Sequence, residues 1–279
     1  MFSQVESNLN SVERVDYYMQ LPSEQWQGSI PSLEWPERGR IEFINFELRY
    51  RPELSPAVRN LSVVIEPGER IGVVGRTGAG KSTLLLGLFR IVEASAGRIE
   101  IDGLDIKGLA LAELRAKIGI IPQDPVVFSG SVRKNLDPFG AHSDDQLWDV
   151  LKRSELESLV RQMPKGLDTP IHEGGSNLSV GQRQLLCLAR AILRRNRILL
   201  LDEATASVDV ATDELIQRAI RSEFSHATVV TIAHRLNTVM DCDRIMVLEA
   251  GRLVEFDRPS VLARRSQSAF AGLLREEHR

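Results

Sequence analysis

Cysteine is scarce in this chain: its 279 residues include two, Cys187 and Cys242, in unrelated sequence contexts. A disulfide framework or a zinc site needs cysteines at regular, paired spacings, so we expect neither, and a reducing compartment fits. Long apolar runs are missing too, because none approaches the roughly 18 residues of a membrane span. The first residues, MFSQ, also lack the basic start and apolar core of a secretory signal. We therefore expect a chain that does not itself cross a bilayer.

The sequence has almost no excess charge, since 35 lysines and arginines face 38 aspartates and glutamates, for a net charge of −3. Without a basic excess, nucleic acid is not expected as the main partner. Hydrophobic residues make up 43% and charged residues 26%, which is typical of a globular protein with an ample core. The length suits one large domain or two small ones.

The most informative stretch is an apolar run at residues 71–74 followed by GRTGAGKST at residues 75–83. It matches G-x-x-x-x-G-K-[ST] at every fixed position, and good helix formers follow it. Glycines allow the backbone to wrap closely around a polyphosphate, and the N–H groups that begin the helix face the anion. Lys81 is placed to reach the β- and γ-phosphates, and the Ser82 hydroxyl to hold Mg²⁺. The pattern predicts a phosphate-binding loop formed by Gly75, Arg76, Thr77, Gly78, Ala79, Gly80, Lys81, Ser82 and Thr83.

A glycine turn followed by an ordinary surface lysine is the structural alternative for this stretch. The apolar strand before it and the helix after it argue against that alternative. The loop by itself indicates only nucleotide binding, because kinases, GTPases and transport ATPases share it. The reaction has to be inferred from other motifs.

A second phosphate-site pattern lies near residue 200, where the wholly apolar run RILLL precedes Asp202 and Glu203. A carboxylate at the end of a buried strand can hold Mg²⁺ through its water, which suits Asp202. Glu203 beside it is suited to take a proton from an attacking water. The alternative role, capping the next helix, is less expected because acidic side chains rarely follow a fully buried strand for packing.

Hydrophobic periodicity predicts the remaining elements. An amphipathic helix at residues 4–19 and a proline-containing linker precede strands at residues 40–50, 57–65 and 97–101. Residues 131–160 change to helical spacing, and an S-x-x-Q capping box at Ser179 begins a helix to about residue 194 that directs Arg190 away from the core. Strands at 117–121, 197–201, 228–232 and 244–248 alternate with helices at 111–116, 212–224 and 260–274. Apolar strands that alternate with helices predict a mostly parallel sheet.

Three further features make a family resemblance specific: LSVGQ at residues 178–182, Gln123 before it and His234 after it. With the two phosphate-site motifs in this order, the sequence resembles the nucleotide-binding domain of an ATP-binding cassette (ABC) transporter over about residues 40–275. The runs IIPQDPVVFSGSVRKNLDPF, LSVGQRQLLCLARAIL and TIAHRLNTVMD are similar to the second, C-terminal cassette of subfamily C, the multidrug resistance-associated proteins.

The resemblance implies an α/β fold of the P-loop NTPase type. This fold has a mostly parallel sheet core, an antiparallel β subdomain and a helical subdomain, here at about residues 124–196. Residues 1–39 would be an amphipathic helix and linker from a missing transmembrane domain, and residues 40–279 the nucleotide-binding domain. The chain would lie at the cytoplasmic face of a membrane, as part of an integral membrane transporter.

The resemblance also implies roles for single residues. Tyr50 would stack on adenine, Gln123 would give an oxygen to Mg²⁺, and His234 would hydrogen-bond the γ-phosphate and orient Glu203 and water. Each has a structural alternative: a strand-end core tyrosine, a turn residue, or a structural histidine. The structural interpretation is the one we give to His142, His172, His226 and His278. ATP and Mg²⁺ are the implied cofactors, with the metal held by Ser82, Gln123 and Asp202.

By the same resemblance, the signature residues Ser179, Gly181 and Gln182 would cover the ATP that another cassette holds, so that neither site is complete within one chain. Val180 departs from the usual LSGGQ and could restrict close backbone approach. The implied partners are a second cassette, of the same full-length polypeptide, and the transmembrane domains, with ATP hydrolysis driving export. One alternative is a nucleotide-sensing module that gates a channel. Another, a soluble cassette acting on nucleic acid or ribosomes, is disfavoured by the near-neutral charge.

Overall fold

The computed structural model describes residues 2–21, 23–24, 26–202, 210–233 and 235–277. The helices are α1 Phe2–Met19, α2 Lys81–Leu88, α3 Leu111–Lys117, α4 Val132–Leu136, α5 Asp144–Arg153, α6 Glu157–Gln162, α7 Val180–Arg194, α8 Val210–Glu223, α9 Pro259–Arg264 and α10 Ala269–Glu277. The strands are β1 Ile41–Leu48, β2 Val58–Ile65, β3 Arg70–Val74, β4 Ala96–Ile101, β5 Leu104–Asp105, β6 Ile118–Ile121, β7 Gly130–Ser131, β8 Pro170–Ile171, β9 Ile198–Asp202, β10 Thr228–Ile232, β11 Arg244–Glu249 and β12 Arg252–Asp257.

The larger sheet has six strands in the described part of the chain, in the order β12-β11-β3-β10-β9-β6. Its neighbouring strands are parallel except for the pair of β11 with β12. The inner strands β3, β9, β10 and β11 are buried over nearly their whole length. Such strands need apolar residues on both faces, which explains their continuous hydrophobic runs. The mostly parallel sheet predicted from these runs is confirmed.

The smaller sheet is antiparallel, in the order β2-β1-β4-β5. Its buried Phe46, Leu61 and Ile99 share one hydrophobic cluster with strand β3 and with Leu84 of α2. A Cβ on Gly87 of α2 would lie 2.7 Å from Cζ of Phe46, so the helix approaches β1 closely. The helix that follows the glycine loop is therefore held against the antiparallel sheet as well as the parallel one.

Helices α4 to α8 pack in a second hydrophobic cluster, together with β6 and β9. The buried face of α7 is formed by Leu185, Leu188, Ala189 and Ile192, as their spacing predicts. Arg190 differs from its prediction, because its guanidinium is half-buried and hydrogen-bonded to the segment before α4 and to the end of that helix. Its position on the edge of the apolar stripe brings it into that contact.

The C-terminal part of the chain corrects the predicted single helix at residues 260–274. The edge strand β12 was not predicted, and two helices, α9 and α10, follow it instead of one. The break is produced by Glu255 of β12, whose carboxylate accepts hydrogen bonds from the N–H groups of Ala269 (3.0 Å) and Phe270 (3.1 Å). A carboxylate at this position caps a new helix start, and the local sequence does not reveal it.

The segment between α1 and β1 is attached to the domain surface, although its composition is that of a linker. The N–H of Ser29 donates to the carbonyl of Gly108 (2.8 Å), and Ser29 forms an isolated bridge with Leu109. The buried Trp35 donates its Nε1 hydrogen to the carbonyl of Ile101 (3.1 Å). These contacts fix the path of the chain from residue 29 to β1.

Arg115 ties the start of this segment to the end of α2. Its Nη2 atom lies 2.7 Å from a carboxylate oxygen of Glu24 and 3.0 Å from the carbonyl oxygen of Arg90. Its Nε donates to the carbonyl of Phe89 (3.0 Å), at the C-terminal end of α2. A cation at a helix C-terminus is favoured by the helix dipole, so Arg115 stabilises the end of α2 while it holds Glu24.

The predicted N-terminal helix is present as α1, and its described side chains, residues 8–19, are exposed. They include the apolar residues Leu9, Val12 and Met19, which are more than half exposed at 62%, 64% and 77%. Among the described residues, no helix is both long enough and apolar enough to span a membrane.

Candidate nucleotide-binding site

The predicted phosphate loop connects β3 to α2 as its sequence requires. Gly75 and Gly78 have φ values of +152° and +80°, which glycine adopts without a Cβ clash. A Cβ on Gly75 would lie 2.3 Å from the carbonyl oxygen of Leu248, so this position has no room for a side chain. A Cβ on Gly78 would meet nothing within 4 Å, so this turn of the loop faces open space. The loop is thus tight against β11 at one end and open where a ligand would approach.

Lys81, the first residue of α2, directs its ammonium group back across the loop. The residue is only 7% exposed, and its Nζ donates to the carbonyls of Gly75 (2.7 Å) and Arg76 (3.3 Å). A buried ammonium group is costly unless it is hydrogen-bonded or paired with an anion. These bonds hold the cation at the loop, where a bound phosphate would also lie.

Tyr50 lies beside the first turn of α2. Its hydroxyl is 2.9 Å from the Thr83 hydroxyl, and the residue is 51% exposed. Thr83 is buried and Ser82 is exposed, because consecutive residues of a helix point in directions about 100° apart. An exposed aromatic ring next to the phosphate loop is suited to stacking on a base.

The strand register brings the other predicted residues to the same edge of the sheet. Asp202 pairs with Ile232 at the end of β10, and Ile232 pairs with Val73 of β3, next to the loop. On the other side of β9, Leu201 pairs with Ile121 at the end of β6, two residues before Gln123. Because these strands are parallel, Asp202 at the end of β9, Gln123 after β6 and the loop after β3 all lie at the carboxyl edge of the sheet. Ligands bind at this edge of open α/β sheets.

Two predicted residues lie outside the described part of the chain. Glu203 directly follows Asp202, and His234 lies two positions beyond Ile232 at the end of β10. His278 is likewise not described. The roles of Glu203 and His234 therefore stay predictions that rest on the sequence.

The signature LSVGQ begins α7, and the predicted capping box is formed by both of its hydrogen bonds. The N–H of Gln182 donates to Ser179 Oγ (3.1 Å), and the N–H of Ser179 donates to Gln182 Oε1 (3.0 Å). Gly181 is buried, and a Cβ on it would lie 3.0 Å from Cγ2 of Thr212. Ser179 is exposed at the start of the helix, and Val180 beside it is half-buried. The helix dipole and the exposed position of the N-cap Ser179 suit this end of α7 to binding an anion.

The signature and the phosphate loop belong to different parts of the domain. Helix α7 packs in the cluster of α4 to α8, whereas α2 packs in the cluster that joins the two sheets. Whether Ser179, Gly181 and Gln182 act on a nucleotide held by another cassette stays a prediction.

Contacts to the phosphate loop from the C-terminal helix were not predicted. Arg76 of the loop forms an ion pair with Glu276 of α10 (2.6 Å), 200 residues away in sequence. Glu277 accepts a hydrogen bond from the N–H of Leu236 (3.1 Å), two positions after His234. Neither contact has a local sequence signal, because each depends on how α10 folds back onto the sheet.

The fold and the loop together define a P-loop nucleotide-binding domain with the signature helix of ABC-type ATPases. A family model described as "ABC transporter" matches residues 58–206. The chain is 52% identical over 279 residues to "ATP-binding cassette sub-family C member 3" of Homo sapiens, and 53% identical over 275 residues to "Multidrug resistance protein mrp-7" of Caenorhabditis elegans. The matches cover 99% and 98% of this chain and 18% of each relative.

The solved structures include a bacterial Atm1-family ABC exporter with ATP bound, which superposes with a TM-score of 0.84 at 31% identity. This match covers 98% of the present chain and 48% of the exporter chain. The chain belongs to the ABC transporter family, and its similarity to these relatives supports subfamily C. It is an ATPase domain of that family, and it spans 18% of the length of the curated relatives it matches.

Proposed function

We propose that this chain is the ATP-hydrolysing cassette of a subfamily C exporter, in which ATP binding and hydrolysis at an interface between two cassettes drive transport across a membrane. The observation that carries the proposal is the meeting of the glycine loop, Lys81, Asp202 and Gln123 at one edge of the parallel sheet. The high identity to subfamily C members supports the choice of substrate, ATP, and of the transport role.

In this proposal the loop binds the phosphates of ATP. The N–H groups of residues 78–82 and the ammonium of Lys81 neutralise the β- and γ-phosphate charge, and the open side of Gly78 leaves room for the ligand. The exposed ring of Tyr50 orients the base by stacking. The hydroxyl of Tyr50 lies 2.9 Å from that of Thr83, so the ring is next to the loop.

The residues at the sheet edge fit Mg²⁺, because Ser82, Gln123 and Asp202 supply the hydroxyl, amide and carboxylate oxygens that this ion prefers. When bound, Mg²⁺ would neutralise charge that develops on the transferred phosphoryl group. Glu203 would take the proton from the attacking water, and His234 would hydrogen-bond the γ-phosphate and orient Glu203 and that water.

The second half of the site would come from another cassette. Ser179 and the start of α7 would face the γ-phosphate that the partner cassette holds, because an exposed capped helix start binds anions. Val180 in place of glycine would weaken the site that this signature completes. We therefore expect two unequal sites, with the one built on Lys81, Asp202 and Glu203 being hydrolytic.

The position in the whole protein is also part of the proposal. Nearly the whole chain matches about a fifth of each relative, which supports a cassette within a longer polypeptide. The similarity of IIPQDPVVFSGSVRKNLDPF, LSVGQRQLLCLARAIL and TIAHRLNTVMD favours the second, C-terminal cassette. The exposed helix α1 would be the cytoplasmic end of the last transmembrane helix. The transmembrane domains and the other cassette would be the partners, at the cytoplasmic face of the membrane.

The test is a comparison of Glu203→Gln and Lys81→Ala in the assembled transporter. We expect Glu203→Gln to bind ATP normally and to abolish phosphate release, and Lys81→Ala to weaken ATP binding itself. Ser179→Ala should lower phosphate release from the site that holds the partner's ATP. Normal turnover in Glu203→Gln would remove this residue as the base, and full activity of a strictly monomeric preparation would refute the shared site.

A further inference from the structure

The C-terminal helix α10 contacts the phosphate loop after β3 and the segment after β10. Its Glu276 pairs with Arg76 of the phosphate loop (2.6 Å). Its Glu277 accepts the N–H of Leu236 on both carboxylate oxygens, at 3.2 Å to Oε1 and 3.1 Å to Oε2. Leu236 lies two positions after His234 in the sequence, so the end of α10 contacts the segment that follows β10.

The bond from Leu236 to Glu277 satisfies a group that the local sequence leaves without a cap. Leu236 begins a 3₁₀ helix, Leu236–Val239, and its N-cap residue Arg235 makes no side-chain capping bond. Leu236 is only 6% exposed, and a buried N–H without an acceptor is destabilising. A carboxylate is also the group that the N-terminus of a helix prefers. Glu277 therefore provides the missing cap from a distant part of the sequence.

The apolar face of α10 packs against the same two segments. Phe270 is fully buried in a cluster with Val74, Ala233 and Leu236. Val74 directly precedes Gly75 of the phosphate loop, and Ala233 directly precedes His234. One side chain of α10 thus shares a core with the ends of β3 and β10, from which both loops leave the sheet.

The start of α10 is fixed to the sheet as well. Glu255 of β12 accepts hydrogen bonds from Ser268 Oγ (2.8 Å) and from the N–H groups of Ala269 and Phe270. The helix is held at its first residues by Glu255 and Phe270, further along by the partly buried Leu273 and Leu274, and at its end by Glu277. Such a helix has a defined position relative to the parallel sheet.

We infer that Glu277 is a positioning residue of the nucleotide site: through Leu236 it sets the position of residues 235–239, which directly follow His234 in the sequence, relative to the phosphate loop. The inference rests on the proposed ATPase function. Glu277 acts through the backbone of Leu236 and is assigned no contact with the nucleotide. The Arg76–Glu276 pair is exposed on both sides, at 76% and 56%, and surface pairs of this kind contribute little. Glu277 is also exposed, but its partner is the backbone N–H of the buried Leu236, so the effect is expected from Glu277 and not from Glu276.

The contact is tested first without turnover, by hydrogen exchange on the 279-residue chain. In Glu277→Ala we expect the amide of Leu236 to exchange about tenfold faster, because its acceptor is lost. Glu277→Gln keeps an oxygen acceptor and should restore most of the protection. Arg275→Ala, on the same helix and exposed, is the matched control and should leave Leu236 protected. Unchanged exchange in Glu277→Ala would overturn the inference.

The role in the reaction is tested in the assembled transporter. We expect Glu277→Ala to lower kcat about three- to tenfold while the Kd for ATP stays within about twofold, because the loop that binds the phosphates is intact. Glu277→Gln should recover most of kcat. An equal loss in Arg275→Ala, or a fall in affinity that matches the fall in kcat, would show a general structural defect and refute the positioning role. Absence of turnover in the wild type would refute the proposed function, and the exchange measurement would still decide the contact.

Discussion

Arg190 of α7 binds Asn135 of α4 at two points, through Nε to the backbone carbonyl (2.5 Å) and through Nη2 to Oδ1 (2.6 Å). Asn135 in turn exchanges two hydrogen bonds with the backbone of Phe128, at 2.9 and 2.8 Å. The helix that begins with the signature is thereby tied to the segment that follows Gln123. The signature helix α7 and the segment after Gln123 are thus connected through Asn135.

Replacing Arg190 by alanine should destabilise the domain by about 2–3 kcal/mol, because half-buried carbonyl and amide oxygens lose their donors. Arg190→Lys should recover only part of this loss, since an ammonium group cannot reproduce the planar fork of the guanidinium. The measurement is the free energy of unfolding in urea. Arg194→Ala, at an exposed position of the same helix, is the control and should change stability by less than about 0.5 kcal/mol. Equal effects of the two alanine variants would contradict the role of the link.

Gly78 and Gly68 form a matched pair for the phosphate loop. Both have positive φ, +80° and +74°, and a Cβ on either would meet nothing within 4 Å. Alanine at either position should therefore cost a similar backbone strain of about 1 kcal/mol. Only Gly78→Ala should weaken ATP binding, by about tenfold or more, because its methyl group occupies the space where the loop approaches the phosphates. Titration with ATP decides this, and equal affinities in the two variants would refute the loop assignment.

Two variants of Tyr50 distinguish a stacking role of its ring from a structural role. Tyr50→Phe removes the bond to Thr83 but keeps the ring, so the Kd for ATP should change by less than about twofold. Tyr50→Ala removes the stacking surface and should weaken binding by about 1–3 kcal/mol. Calorimetric titration measures both variants. If Tyr50→Ala lowered the melting temperature and left the affinity for ATP unchanged, the tyrosine would be structural.

The two thiols should be unreactive in the folded protein. Burial raises the pKa of Cys242 to about 12, and burial also raises the pKa of Cys187, against the opposing charges of Arg190 and Arg183. At pH 8 the thiolate of Cys242 is then about a thousandth as abundant as at its ordinary pKa near 9. A thiol reagent should titrate both cysteines rapidly in denaturant and slowly in the native state.

The raised pKa of Cys242 also has a consequence for stability. Because the thiol of the unfolded chain loses its proton near pH 9 and that of the folded chain near pH 12, the unfolded state binds fewer protons between these values. The contribution of Cys242 to stability is therefore fully present below about pH 9 and is lost as the pH rises toward 12. Cys242→Ala should flatten this part of the pH profile of unfolding, and an unchanged profile would contradict it.

The elements that sequence patterns predicted best are those with an unambiguous local sequence pattern. The strand at residues 228–232 has the predicted bounds, because a run of apolar residues between two helices has little other place than the middle of a parallel sheet. The capping box of Ser179 and Gln182 is formed as predicted, since both partners lie within one turn. The loop at residues 75–80 follows from its glycines for the same reason.

The elements that were missed depend on distant contacts. Strand β12 has an irregular pattern of partial burial, which is typical of an edge strand and gives no clear alternation. The start of α10 is decided by Glu255 and its end contacts Leu236, so neither is encoded next to the helix. The linker composition of residues 23–38 concealed an attached segment, because its partners, among them Ile101, Gly108 and Arg115, lie far away in the sequence.

The attachment of Glu24 and of residues 26–40 limits how far α1 can move relative to the two sheets. From Met19, the last residue of α1, to Glu24, which is joined to Arg115, the chain has five residues and a contour of about 17 Å. A displacement of α1 larger than this requires Glu24 to leave Arg115 or Arg115 to move, and the guanidinium of Arg115 also binds the carbonyls of Phe89 and Arg90 just past α2. Helix α2 begins at Lys81, so the contacts of the N-terminal segment and the phosphate loop lie at opposite ends of the same short helix.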